Sequence, residues 1–219
     1  MESRDPPPAG APSAPVPMPV PALRDRLHLL LADHGLLRLV WHNEAEIAPG
    51  VWRANQPGPG RLAGWRARGI RSVLSLRGGQ DEAAARIERA ACAALGLHYE
   101  VTRLSATSAP SRAALLDLLA RFRRIERPFV MHCKSGADRT GLAAVLYLMG
   151  IEGRGWDEAR RQLSLRHAHA KWTRAGIIDH LFETHAARQE TGPIGIEEWI
   201  ATEYDPAALT RSFAQERGR

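Results

Sequence analysis

Ten consecutive residues near the middle of the chain combine a cysteine, an arginine and two glycines. They run His132-Cys133-Lys134-Ser135-Gly136-Ala137-Asp138-Arg139-Thr140-Gly141. A cysteine thiolate is a strong nucleophile, and the planar guanidinium of arginine matches two oxygens of one phosphate. The residues from Cys133 to Arg139 are enough to wrap one phosphoryl group with backbone amides. The spacing therefore predicts attack of Cys133 on phosphorus, with Arg139 as the clamp and Lys134, Ser135, Gly136, Ala137, Asp138 and Arg139 as the phosphate-binding residues.

The neighbours of this pair have supporting roles. Gly136 permits a backbone turn that a residue with a Cβ would resist. We expect the Thr140 hydroxyl to donate to the departing thiolate, and His132 to brace the loop through a ring N–H to the backbone. An apolar stretch precedes the loop and a helix follows it, and a helix start supplies free N–H groups and the positive end of a dipole. That environment favours the thiolate of Cys133 at neutral pH.

The alternative for these residues is a small buried cysteine beside a surface arginine. Six positions of the pattern HCxxGxxR[ST]G are met together here, which chance supplies in roughly one such chain in 10⁵. The segment resembles the signature loop of the protein tyrosine and dual-specificity phosphatase superfamily. Residues 48–78 are similar to the opening of bacterial dual-specificity-like members, and DRTGLAAVLYLMG followed by WDEARRQLSLRHAH is similar to their downstream helices.

The resemblance extends from about Asp33 to His185 and implies a compact α/β phosphatase domain, a phosphocysteine intermediate and no metal or other cofactor. Lys134 is one of only two lysines in the chain, and in this position it resembles lipid-directed members. Asp138 resembles bacterial members that accept phosphoinositides as well as phosphoproteins. The alternative is that Lys134 and Asp138 pair with each other across the loop.

The chain departs from the family pattern at the general acid. Family members usually supply an aspartate from a loop about 30 residues before the cysteine, but the corresponding residues 105–111 contain no carboxylate. Asp138 is our first candidate for the proton donor, and the absence of a dedicated acid is nearly as well supported. The other candidates are Glu100, Asp117, Asp81 and Glu82.

Three further polar residues come close to the loop in the expected fold. Arg77 follows a predicted strand and faces the same sheet edge as the loop, so it is a candidate for substrate contact. His167 and His169 are similar candidates after the next helix, although a structural role is the commoner one for such residues. The spacing of His132, His167 and His169 is not that of a metal site.

Strands and helices alternate along most of the chain, which predicts an α/β fold with a mostly parallel sheet and helices on both faces. The predicted strands cover residues 46–48, 51–54, 70–76, 97–104 and 128–132. The predicted helices cover residues 61–68, 81–95, 112–125, 140–149, 156–165 and 172–185, with two short ones around Pro206. Ser111 is the expected N-cap of the third helix.

We divide the chain into a disordered Pro-rich tail (1–21), a phosphatase domain (22–190) and a helical extension (191–219). Leucines at helical spacing in residues 22–41 predict a helix that packs on the domain or touches a membrane surface. Two cysteines and no apolar signal sequence favour a cytoplasmic location. A formal net charge of +6 favours anionic partners without selecting among them.

The sequence therefore predicts a phosphomonoester hydrolase. Its substrate is a phosphoprotein, on tyrosine or on serine and threonine, or a phosphorylated lipid, inositol or sugar. The main alternative is a catalytically weak phosphate-binding module, supported by the missing acid. A rhodanese-type sulfur transferase is less consistent with the His-Cys start and Arg-Thr-Gly end of the loop. Nucleic-acid binding depends on charge alone, and we do not expect it.

Overall fold

A five-stranded sheet forms the centre of the protein, for which a computed structural model describes residues 42–79 and 82–218. The strands are β1 (Ala45–Ala48), β2 (Val51–Ala54), β3 (Ser72–Ser75), β4 (His98–Val101) and β5 (Phe129–His132). Their order is β1-β2-β5-β3-β4. The first pair is antiparallel and the other three are parallel, so the predicted mostly parallel sheet is confirmed.

Eight α-helices accompany the sheet within the described residues. They are α1 (Pro59–Ala67), α2 (Ala83–Ala94), α3 (Arg112–Arg124), α4 (Asp138–Gly150), α5 (Trp156–Ala159), α6 (Ile177–Gln189), α7 (Ile196–Thr202) and α8 (Pro206–Arg217). The predicted cap of α3 is present, because the Ser111 hydroxyl oxygen accepts from the amide of Ala114 at 3.2 Å. This bond satisfies one of the amides that a helix start leaves without an intrahelical partner.

Successive strand residues point to opposite faces of the sheet, and side chains on both faces are buried. Val73 and Val130 belong to a smaller cluster that contains side chains of α1 and α2. Leu74 and Met131, one position further along, belong to a larger cluster that contains side chains of α3, α4, α6, α7 and α8. Helices on both faces were predicted, and the structure confirms them.

The segment between α5 and α6 differs from the prediction. The expected helix over residues 156–165 ends at Ala159, and the expected start at residue 172 moves to Ile177, with 3₁₀ turns between them. The side chains of His167 and His169 are buried in this segment and form hydrogen bonds. Ala168 between them adopts a left-handed conformation with φ of 59°. A continuous helix could not direct both rings inward, so these contacts override the helical pattern.

The C-terminal helices α7 and α8 are part of the larger core. Trp199 and Tyr204 are buried in it, and the Tyr204 hydroxyl donates to the carbonyl of Pro110 at 2.8 Å. The Pro-rich tail and the helix predicted over residues 22–41 lie outside the described residues, so the domain boundaries stay predictions. None of the helices in the described ranges is long and apolar enough to cross a membrane.

Three neighbouring strands end at the same edge of the sheet. His132 at the end of β5 lies in register with Ala54 of β2 and with Ser75 of β3. Because these strands are parallel, the chain leaves all three at one edge, which is where ligands bind in open α/β sheets. The residues after each strand therefore surround Cys133.

Candidate active site

The loop from Cys133 to Ala137 connects β5 to α4 and turns sharply at Gly136. Gly136 has a φ of 75°, and an added Cβ would lie 2.8 Å from the backbone of Ala54 and Asn55. No side chain fits at that distance, and the conformation is one that glycine adopts readily. The predicted need for glycine at this position is consistent with this geometry.

Four successive carbonyl oxygens of the loop are bound from outside it. The donors to the carbonyls of residues 133 to 136 are His132 Nδ1 (3.2 Å), the amide of Gln56 (3.2 Å), Asn43 Nδ2 (3.1 Å) and an Arg53 Nη (2.6 Å). In a trans peptide the carbonyl and the following N–H point in opposite directions. The amides of residues 134 to 137 therefore turn toward the inside of the loop, where that of Ala137 donates to the Ser135 hydroxyl at 3.3 Å.

Inward amides at the start of a helix form an anion-binding cradle. The 13-residue helix α4 begins at Asp138, and its dipole places partial positive charge at the same point. The loop can therefore surround a phosphoryl group without large rearrangement. This geometry fits the binding roles predicted for Lys134, Ser135, Gly136, Ala137, Asp138 and Arg139, which stay predictions until a ligand is observed.

Arg53 is a fully buried cation beneath the loop, and sequence reasoning missed it. Besides the loop carbonyl, it donates to the backbone carbonyl of Gln162 at 2.7 Å and to its side chain at 2.9 Å. Burial lowers the pKa of Arg53 to about 10, and the nearby Cys133 acts in the opposite direction. Arg53 therefore stays charged at neutral pH and adds positive potential near the sulfur.

Three of the four residues predicted to do chemistry, Cys133, Arg139 and Thr140, lie together at this loop. Cys133 is buried, with 1% of its surface exposed, and Arg139 lines an open cleft of about 550 Å³. Within the described residues, Arg139 Nε and the Thr140 hydroxyl are buried without hydrogen-bond partners. Both groups are therefore available to a bound phosphate or to a thiolate.

A buried polar chain leads from His132 to the rim of the cleft. His132 Nε2 lies 2.5 Å from a carboxylate oxygen of Glu88, and both side chains are almost fully buried. The other oxygen of Glu88 accepts from Gln56 at 3.1 Å, and Arg77 donates to Gln56. The predicted brace from the His132 ring to the backbone is present, and Glu88 holds that ring from its far side.

Asp138 contacts a buried histidine. His169 Nδ1 lies 2.8 Å from Asp138 Oδ1, and His169 Nε2 lies 2.6 Å from Asp179 Oδ2. Burial by itself would lower the pKa of His169, but hydrogen bonds to these two carboxylates outweigh it and raise the pKa to about 9. Asp138 is therefore the partner of a protonated ring, which favours a structural role. Its predicted roles as proton donor and as partner of Lys134 stay predictions.

His167 also ties its segment to the loop. Its Nδ1 lies 2.8 Å from Asn43 Oδ1, and Asn43 Nδ2 donates to the carbonyls of Ser135 and of His167 itself. Burial lowers the pKa of His167 to about 4, so the ring is neutral at physiological pH. Both histidines thus have structural contacts, and neither lines the cleft beside Arg139.

The other acid candidates differ in position. Glu100 and Asp117 both bind Arg121, at 2.9 and 2.6 Å, and neither lines the cleft. Asp81 lies outside the described residues. Glu82 is the one carboxylate, among residues the structure describes, that lines the cleft with Arg139. It is half exposed and binds Arg77 at 2.6 Å.

Arg53, Glu88 and Asn43 are the site residues that sequence reasoning missed. Arg53 was a charged residue inside the otherwise apolar strand β2, and Glu88 lies at helical spacing with the buried Ala85 and Ala91 of α2. Each of these two patterns indicates a buried charge, which requires a partner. Asn43 gave no such signal. Across the described ranges, no group of three or more His, Cys, Asp or Glu side chains could hold a metal ion.

Comparison with known proteins finds a sequence similarity over the middle of the chain and a similarity of fold. A model of the tyrosine phosphatase family matches residues 78–154, which include the whole loop. TpbA of P. aeruginosa is 19% identical, with a TM-score of 0.51 over 79% of this chain and 91% of its own. A putative phosphatase of Shewanella putrefaciens is 14% identical, with a TM-score of 0.52 over 68% of this chain and 95% of its own. The core catalytic domain of the PP-IP phosphatase SIW14 of S. cerevisiae is 17% identical, with a TM-score of 0.50 over 71% of this chain and 97% of its own. No curated protein matches the chain.

Proposed function

We propose that the chain is a cysteine-based phosphatase of the tyrosine phosphatase family, whose model matches residues 78–154, and that it hydrolyses phosphomonoesters through a phosphocysteine intermediate on Cys133. The thiolate attacks phosphorus, the ester P–O bond breaks, and the leaving oxygen takes up a proton. Water then attacks the phosphocysteine, which releases inorganic phosphate and restores the thiolate. Thr140 donates its hydroxyl to the sulfur as the S–P bond breaks.

The outward anchoring of four successive loop carbonyls is the observation that carries this proposal. It supports an amide cradle that is organised before substrate binds, so little reorganisation opposes charge build-up in the transition state. The guanidinium of Arg139 completes the cradle with a two-pronged contact to equatorial oxygens. Arg53 and the His132–Glu88 pair hold the cradle from behind.

For the leaving-group proton, we propose Glu82 as the first alternative to Asp138. Each of these carboxylates is bound to a cation, Glu82 to Arg77 and Asp138 to His169. Glu82 is the one of the two that lines the cleft beside Arg139. A well-placed acid contributes roughly 10²–10⁴ in rate, and most where the leaving group is a poor one. Glu82→Gln should then slow alkyl phosphates far more than activated aryl phosphates. Asp138→Asn should reduce both equally if that residue only shapes the loop.

The same pair of substrates decides between the assignments. A selective loss on alkyl phosphates for Asp138→Asn would return the acid to that residue. If neither variant slows alkyl phosphates more than aryl phosphates, neither of these two residues is the proton donor. The rate of the parent protein should then fall steeply as leaving-group pKa rises.

For the substrate class, we propose phosphate esters that carry further negative charge, such as phosphorylated inositols, lipids or sugars. Arg77 and Arg103 line the cleft together with Arg139, and Arg103 has no ion-pair partner among the described residues. The name of SIW14, a structural neighbour, describes a PP-IP phosphatase. A phosphoprotein substrate needs only one phosphate-binding arginine. Arg77 is already paired with Glu82, so Arg103 is the additional cation that favours the first class.

A panel of phosphopeptides, phosphoinositides and sugar phosphates, assayed by phosphate release, tests the function. Cys133→Ser should abolish turnover while phosphate-analogue binding persists, because the cradle is backbone. Arg103→Gln should raise KM for substrates with several charged groups and leave a simple aryl phosphate unchanged. No release from any substrate would instead support a phosphate-binding module. Turnover that survives Cys133→Ser would contradict the mechanism.

A further inference from the structure

A basic segment next to the catalytic loop carries the two large hydrophobic side chains that the described part of the chain leaves exposed. Leu165 and Trp172 are each 67% exposed. Both lie in residues 160–174, which read RRQLSLRHAHAKWTR and are called the basic loop below. Single exposed hydrophobic residues are normal on protein surfaces. Two within eight residues, in a segment of this composition, need a physical explanation.

The basic loop has many cations and no acidic residue. Its lysines and arginines are Arg160, Arg161, Arg166, Lys171 and Arg174. Arg160 contacts Asp157 at 3.3 Å, whereas the other four are exposed and have no ion-pair partner among the residues that the structure describes. Glu44 lines a cleft with Arg166 but is already bound by Arg61 and Arg68. The surface therefore has positive charge that the protein itself does not neutralise.

The basic loop is attached firmly to the active site. His167 is bound to Asn43, which holds the loop carbonyl of Ser135, and His169 is bound to Asp138 at the start of α4. Leu165 is two residues from the first of these histidines, and Trp172 is three residues from the second. At no more than about 3.6 Å of chain per residue, the Cα atoms of Leu165 and Trp172 lie within about 7 and 11 Å of these two histidines.

We infer that the basic loop binds the surface of an anionic lipid bilayer. Tryptophan is enriched at membrane interfaces, where its ring lies among the headgroups. Leucine adds apolar area that can enter the acyl boundary, and unpaired lysines and arginines are attracted to anionic lipids. Trp172 and Leu165 insert, while Arg161, Arg166, Lys171 and Arg174 contact headgroups. The inference depends on this surface alone, so it stands whether or not the proposed substrate class is correct.

Vesicle sedimentation of the full chain tests the inference, with phosphatidylcholine vesicles prepared with and without phosphatidylserine. We expect binding only when phosphatidylserine is present, and weaker binding as salt is raised. Arg166→Gln with Lys171→Gln should weaken binding by about 25-fold, at about fivefold per cation. Leu165→Ser with Trp172→Ser should weaken it by about tenfold or more. All of these variants should hydrolyse a soluble aryl phosphate at the parent rate, which shows that the fold and site are intact.

Arg71→Gln provides the matched charge control. Arg71 is exposed and precedes β3, so it lies at the amino ends of the parallel strands, opposite the edge that carries the catalytic loop. Its loss should leave vesicle binding almost unchanged. A direct probe of insertion is the fluorescence of Trp172, taken as the difference between the parent and Trp172→Phe. That difference should shift to the blue on vesicle binding.

Three outcomes would overturn the inference. The first is an absence of binding to phosphatidylserine vesicles. The second is binding that survives both double substitutions but is lost in Leu27→Ser with Leu31→Ser, which would assign the contact to residues 22–41. The third is binding of an acidic polypeptide such as polyglutamate without any binding of vesicles, which would assign the surface to a protein partner.

Discussion

Glu88 is the residue whose environment most needs explanation. A carboxylate that is almost fully buried is costly unless it is paired and hydrogen-bonded. Here one oxygen lies 2.5 Å from His132 and the other accepts from Gln56. The ring of His132 in turn holds the carbonyl of Cys133, the proposed nucleophile. The proposed site therefore depends on a charge that does not line the cleft with Arg139.

Glu88→Gln should lower kcat with a smaller effect on KM, because the cradle remains while the support of His132 weakens. The expected loss is about tenfold to a hundredfold, the usual range for a residue that orients a functional group from behind. The acid limb of the pH profile of kcat/KM should also move. A purely structural residue would lower thermal stability and leave that profile in place, so the profile is the deciding measurement. Glu100→Gln, which removes a surface ion pair with Arg121, is the control.

The basic loop illustrates how an element is positioned by buried polar contacts. Its backbone lacks regular helix over residues 163–173 apart from one 3₁₀ turn, Leu165–His167. His169 nevertheless bridges two carboxylates, one at the start of α4 and one, Asp179, in the first turn of α6. Ion pairs therefore hold this segment in place, whereas apolar packing holds the helices in place.

The His169 bridge should make stability depend on pH. The pKa of His169 is raised to about 9 by its two carboxylate partners, from an ordinary value of 6.5. Its stabilising contribution is therefore complete below pH 6.5 and is lost as pH rises from 6.5 to 9. The free energy of unfolding, measured by urea titration, should fall through this window by on the order of a few kcal/mol.

His169→Gln should remove most of that slope and lower stability at pH 6. The buried His167 and His185, whose pKa values are lowered mainly by burial, act in the opposite direction. They reduce stability only as pH falls below 6.5, so they do not affect the alkaline window. An alkaline slope that persists in His169→Gln would assign it to another group.

The C-terminal helices belong to the core of the molecule, although the sequence suggested a helical extension after residue 190. Ile194, Ile196, Trp199, Ile200, Tyr204 and Leu209 are all buried in the larger core cluster. At about 1.5–3 kcal/mol for each buried side chain, their sum is roughly 9–18 kcal/mol. That sum is comparable with the entire net stability of a typical domain, about 5–15 kcal/mol.

A chain truncated after Glu190 should therefore fail to fold, and circular dichroism should show no cooperative thermal transition. Removal of residues 210–219 should be tolerated better, because Leu209 is the last fully buried side chain in the cluster. Trp199→Ala should fold but lose about 3–5 kcal/mol. A stable, active truncation at residue 190 would show that the extension is dispensable.

Most of the strands and helices, and the central loop, could be predicted from the amino-acid sequence. Local rules were sufficient there. Alternating strands and helices, the cap at Ser111 and the spacing from Cys133 to Arg139 each depend on residues close together in the chain. The predicted strands over residues 46–48 and 51–54 are likewise neighbours in the chain, and they pair antiparallel across the turn at Pro49 and Gly50.

The surroundings of that loop follow from the three-dimensional fold. Asn43, Arg53 and Glu88 are 44 to 92 residues from the residues that they support, so no local pattern connects them. They meet because β2, β3 and β5 end at one edge of the sheet and α2 packs beneath it. The carboxylate of Asp138 is likewise defined by His169, 31 residues away. Buried polar groups must find partners wherever the fold brings them, and spacing along the chain does not reveal that choice.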